Sequence, residues 1–170
     1  MPLLRKLVQF IDLVTDRSGR LLAWLALAMA LLTTLIVVMR YGFNTGSIFA
    51  QELVTYMHAT LFMLGTAYAL KTGAHVRVDI FYRNFSDRGR AWVNALGGVV
   101  FLIPLSLFIA VVSWNYVSES WAMGEVSTEQ GGIQAVYLLK GLIPAMAINL
   151  LLQGIAETLR STLVLVEGQS

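Results

Sequence analysis

Three stretches of this chain, 21–39, 53–70 and 91–118, contain no Asp, Glu, Lys or Arg, and a fourth, 136–156, carries only Lys140. A hydrocarbon layer about 30 Å thick takes roughly 20 helical residues to cross, so each stretch is long enough to span it. Hydrophobic residues make up 57% of the chain and charged residues 13%, with mean hydropathy +0.70. A soluble domain of this length needs more polar surface to cover its core. The reading is an all-α integral membrane protein, one membrane domain over 1–170, with four transmembrane helices.

The charges fix its direction. Segments left in the cytoplasm carry an excess of Lys and Arg in short loops. The stretch 71–90, KTGAHVRVDIFYRNFSDRGR, holds five of the twelve Lys and Arg residues. Arg5, Lys6, Arg17 and Arg20 precede the first span and Arg160 follows the last, whereas the two opposite loops hold only Arg40 and Lys140. Ten against two puts both termini and the basic loop in the cytoplasm. Aromatic residues gather at the expected inner ends (Trp24, Tyr68, Tyr82, Trp92) and outer ends (Tyr41, Tyr56, Trp114, Tyr116, Trp121, Tyr137), as interfacial belts do. Basic charge flanking apolar segments reports topology, so a nucleic-acid partner is not expected.

Residues 1–20 place Leu3, Leu7, Phe10 or Ile11, and Val14 at helical spacing between polar residues, which predicts an amphipathic helix lying in the interface plane. A cleaved secretory leader is the competing reading, because Ala26-Leu27-Ala28 and Ala28-Met29-Ala30 mimic a processing site. The apolar run continues past both, which favours a retained arm. Within 71–90, Asp79 and Arg83 would pair if 76–85 is helical, and alternation of Val76, Val78 and Ile80 equally permits an extended piece. Ser86 suits a helix N-cap. The third span, 91–118, is longer than a perpendicular crossing requires. Tilt, a kink at Pro104, or protrusion would each absorb the excess.

The spans offer little chemistry. An ion or solute path usually presents ionisable groups at mid-depth, and only His58 lies well inside a span. A hydrogen bond across a helix interface is the simpler use for it. Thr33, Thr34, Thr60 and Thr66 can bond the backbone one turn back. Haem ligation is not expected: His58 and His75 stand roughly 25 Å apart along a helix. Gly65, Gly97, Gly98 and Gly154 permit close helix approach. Gln51 and Glu52, at the outer start of the second span, suit a partner contact or a helix N-terminus. His75, Arg77 and Asp79 form a motif, a lipid-headgroup contact or an ordinary interfacial cluster. Glu119, Glu125 and Glu129 read as a solvated loop face. Without Cys there are no disulfides, thiolate metal sites or Cys nucleophiles. No cofactor and no enzyme activity are expected.

The order of SIFAQEL, FMLGTAYALKTGAHVRVDIFY, Pro104, ESWAMGEVSTEQGG and YLLKGLIPAMAINLLLQGIAE resembles the small membrane subunit, the DctQ-like component, of tripartite ATP-independent periplasmic (TRAP) transporters. The resemblance implies a DctM-like large membrane subunit and a DctP-like periplasmic solute-binding protein as partners, in a bacterial inner membrane. It implies sodium-coupled uptake of an organic acid, with the solute and sodium sites on the large subunit and this chain enlarging that subunit's fixed scaffold. By motif position, Gln51, Glu52, His75, Arg77 and Asp79 become candidates for the subunit interface, lipid contact or loop architecture. The alternative is a self-associating four-helix membrane protein, such as a small channel or assembly factor.

Overall fold

The computed structural model describes residues 2–74, 82 and 84–167, with side chains from Leu4 onward. The expectations placed on His75, Arg77 and Asp79, and on the Asp79–Arg83 pair, lie outside the described residues. Among the described residues, four helical segments are long and apolar enough to cross a membrane.

Helix α1 (Pro2–Gly42) has 41 residues, roughly 60 Å of helix and about twice the hydrocarbon thickness. The amphipathic arm and the first span are therefore one helix; no break separates an in-plane arm from a crossing segment. The reason lies in what the arm buries. Val8, Ile11, Thr15 and Gly19, spaced at three and four, face inward, while Leu7, Phe10 and Val14 of the anticipated apolar face are exposed. In a membrane large apolar side chains are content against lipid, and small or hydrogen-bonding ones mediate helix contact.

Helix α2 (Ile48–Lys71) starts at Ser47, whose hydroxyl accepts from the Ala50 amide. It stops at Gly73, whose φ of 68° lets the Ala74 and Gly73 amides bond back to the carbonyls of Ala69 and Leu70. Ser86 caps α3 (Asp87–Gly97) by accepting from Gly89, as its sequence position suggested. A π-helical turn (Gly98–Leu102) joins α3 to α4 (Ile103–Met123), so the third span runs from Asp87 to Met123. Proline has no amide to donate and its ring crowds the carbonyl one turn back. The widened turn ahead of Pro104, in which the Ile103 amide bonds the Gly98 carbonyl, accommodates both defects. Helix α5 (Val136–Glu167) extends well beyond the expected end at residue 156 and contains Pro144.

Helix α5 is the centre of the assembly, with substantial contacts to α1, α2, α3, the π turn and α4; α1 also pairs along α2. Contact relies on small residues. Ala67, Ala147 and Ala156 are fully buried. Gly98 lies against Thr158, and a methyl on Gly154 would meet Leu102 at 2.9 Å. Gly65 and Gly97, by contrast, face open space. The chain's two ends meet: Arg5 of α1 hydrogen-bonds Glu167 of α5. That end, which also carries Lys71, is called the terminal end below, and the opposite one the loop end.

Candidate functional site

Polar side chains concentrate at the two ends. At the terminal end the organising residue is Gln153, fully buried on α5. The Thr15 hydroxyl donates to its Oε1 at 2.8 Å, and its Nε2 donates to Asp12 Oδ1 at 3.3 Å and Glu157 Oε1 at 3.4 Å. The Arg160 guanidinium bridges the same carboxylates, at 2.7 Å from Asp12 and 2.5 Å from Glu157. Lys71, closing α2, donates to Asp16 at 2.6 Å and to the Asp12 carbonyl at 3.1 Å. Three carboxylates and two cations thus tie α1, α2 and α5 together, and the buried polar groups satisfy one another.

At the loop end the connection between α4 and α5 folds back over α2. Glu52 accepts from the Ser127 hydroxyl with one oxygen and from the Ile133 amide with the other, at 2.6 Å. The N-cap role considered for Glu52 belongs instead to Ser47, and its carboxylate is occupied by the chain's own loop. Lys140 reaches Glu125 at 2.5 Å and lies 4.1 Å from the centre of the Tyr116 ring. That ammonium holds the Glu125 carboxyl below the usual carboxylate range. Glu125 is therefore an ion-pair partner rather than part of a solvated loop face. Trp121 meets Tyr137 edge-on at 5.1 Å, closing the corner of the loop.

Between the ends, polar groups attend to their own backbone. Thr34, Thr60, Thr66, Ser106 and Thr158 donate to carbonyls three or four residues back. Thr33 makes no such bond among the described residues. Asn149 of α5 donates to the Leu64 carbonyl of α2 at 3.1 Å, a polar link deep in the spans. His58 does not bond across an interface as anticipated. It is exposed on α2, its ring stacks on Phe62 at 6.3 Å, and it has no hydrogen-bond partner among the described residues. Gln51 is likewise exposed. Of the sequence candidates, the structure thus places Gln51 and Glu52 at the loop end, one outward and one engaged. Among the described residues, no three His, Cys, Asp or Glu side chains gather as a metal site would require.

The terminal cluster was not anticipated from the sequence, although it left a signal there. Gln153, Glu157 and Arg160 fall on one face of α5, and Asp12, Thr15 and Asp16 on one face of α1. The partner of Glu52, by contrast, lies 75 residues away in a loop with no periodicity to point back to it.

A family profile described as tripartite ATP-independent periplasmic transporters, DctQ component, matches residues 29–163. The C4-dicarboxylate TRAP transporter small permease protein DctQ of Vibrio cholerae is 32% identical over 108 residues, covering 64% of this chain and 45% of that protein. A Haemophilus influenzae protein, named as a TRAP transporter small permease protein, is 32% identical over 81 residues, 48% of this chain and 50% of its own length. The chain spans about half the length of these curated relatives. No solved structure matches.

Proposed function

Because the chain belongs to the family of DctQ components of TRAP transporters, we propose that it braces the large membrane subunit of such a transporter while that subunit moves an organic acid inward with sodium. It is a multi-pass protein of the inner membrane and a transporter component, not an enzyme. In this reading the terminal end faces the cytoplasm, since eight of the ten described Lys and Arg residues lie there. A periplasmic solute-binding protein delivers the solute at the loop end, and lipids cover the remaining apolar surface. The solute and sodium sites belong to the large subunit.

The observation that carries this reading is the use of polar groups within the spans. Among the described residues, Thr34, Thr60, Thr66, Ser106 and Thr158 are consumed by backbone and Asn149 by a helix-to-helix bond, and the clusters at both ends act as braces. A solute path needs polar groups free to exchange partners with the solute. A brace needs the opposite, helices that hold their spacing while a neighbour moves. Long α1 and α5, running past the membrane at the terminal end, lengthen that hold.

The test is a tagged pull-down in mild detergent after co-expression with the large permease encoded beside this chain. Stoichiometric recovery of that permease supports the proposal. Recovery of this chain alone, as a stable homo-oligomer, would replace it with the self-associating alternative.

A further inference from the structure

After its first turn, α2 exposes only Gln51, Thr55, His58 and Phe62, one helical face at spacings of four, three and four. Three of those four side chains are polar. His58 sits six residues beyond Glu52 and thirteen before Lys71, roughly 9 Å and 20 Å along the axis, which is hydrocarbon depth. Acyl chains offer its imidazole no hydrogen bond, and an unsatisfied polar group there is unfavourable. The outward face of α4 shows what a lipid-facing surface looks like: Leu105, Phe108, Val111 and Val112 are all exposed and all apolar.

His58 and Thr55 open into a groove of about 460 Å³ between α1 and α2, whose other lining residues are Met29, Ala30, Thr33 and Val54. Ala30 and Thr33 continue an exposed row of small residues on α1, Ala23 and Ala26, that lets a neighbouring backbone approach closely. Thr33 and His58, the polar side chains lining this groove that have no hydrogen bond among the described residues, thus face each other across it.

We infer that this groove is the seat of a transmembrane helix of the transporter's large subunit, one that presents a hydroxyl, amide or carboxylate to His58 and crosses close to Ala30. The inference rests on the proposed function for the partner's identity and adds the face it occupies. A soluble binding protein does not reach this depth. A two-fold pairing of copies would set one concave groove against another, whereas a convex helix fills it.

Thr33 and Thr55 in the groove and Phe108 on α4 are exposed, so probes placed there leave the internal helix contacts intact. A photo-reactive benzoylphenylalanine replaces Thr55 or Thr33 in the groove, or Phe108 on α4 as control, in membranes co-expressing the large subunit. The expected result is an adduct of this chain with the large subunit from positions 55 and 33 and none from 108. In the pull-down, His58→Leu lowers association with the large subunit about threefold or more, as loss of one interhelical hydrogen bond does, and His58→Gln retains most of it. Adducts of twice this chain's mass from the groove would overturn the inference in favour of self-association. Co-purification of the large subunit with cross-linking from 108 alone would overturn it and leave the proposed function standing. Absence of co-purification in the unsubstituted complex would defeat both.

Discussion

At the terminal end the contacts made by Asp12 and Asp16 join one spanning helix to another, Arg160 and Gln153 to Asp12 and Lys71 to Asp16, whereas at the loop end Glu52 and Lys140 reach to a connecting loop. The two ends hold similar groups and do different work. One sets the spacing of α1, α2 and α5. The other sets the shape of the surface offered to the far side of the membrane. The difference teaches that helix spacing here is fixed from one end and by small residues at mid-depth, leaving the α4–α5 loop to be shaped independently.

Substitutions can break that contrast. The largest effect is expected from Arg160→Met, which leaves Asp12 and Glu157 facing each other without a cation. Because Arg160 is partly exposed, solvent reduces the penalty to roughly 2–3 kcal/mol, read as a lowered unfolding midpoint in detergent. Adding Asp12→Asn should restore part of the loss, since the two residues share one network. A midpoint unchanged by Arg160→Met would remove the terminal end from its role as the main helix clamp.

Glu52→Ala is expected next, with a smaller effect, because the Ser127 hydroxyl and the Ile133 amide lose their acceptor. Its signature is local: faster proteolysis within 124–135 and an unchanged overall midpoint. If the midpoint falls as far as in Arg160→Met, the two ends are not independent.

Acid should act on the loop end more weakly. The Glu125 carboxyl, held low by Lys140, docks the loop best when ionised. Because its folded pKa is depressed, that contribution is complete above the undocked value of about 4.3 and fades as pH falls through the lower folded value. Limited proteolysis should therefore accelerate below about pH 4, and Lys140→Met should flatten the Glu125 part of the profile. A loop equally protected at pH 3 and pH 7 would show that the ion pair does not hold it.

The smallest change is expected from Arg5→Ala. Its pair with Glu167 is open to solvent on both sides, so the loss should stay within about 0.5 kcal/mol. A larger shift would mean that the tips of α1 and α5 are part of the clamp.

Much of the fold was legible because hydrocarbon imposes length and polarity on any segment that crosses it. Lys71 ends α2 and Arg40 lies in the last turn of α1, where the charge pattern put the span ends, and Ser86 announced the start of α3. The site was less legible. Apolarity does not tell a helix face that meets lipid from one that meets protein, so the expected in-plane arm with Leu7 and Phe10 on its apolar face did not reveal that Thr15 and Gly19 face the other helices. Pro104 signalled an irregularity, but only the backbone reveals that the π turn ahead of it resolves it. Glu52 and Ser127 meet through a loop closure that no local pattern encodes. His58 was visible as an oddity, and its outward direction follows only from how α2 rotates against α1 and α5.

The central claim, that this chain braces a transporter without offering a solute path, is tested most directly by uptake into liposomes carrying a sodium gradient and supplied with the partner binding protein loaded with a radiolabelled organic acid. The account predicts uptake when this chain and the large subunit are reconstituted together, strongly reduced uptake with the large subunit alone, and none above empty liposomes with this chain alone. Solute entry through this chain alone, or full uptake without it, would contradict the account.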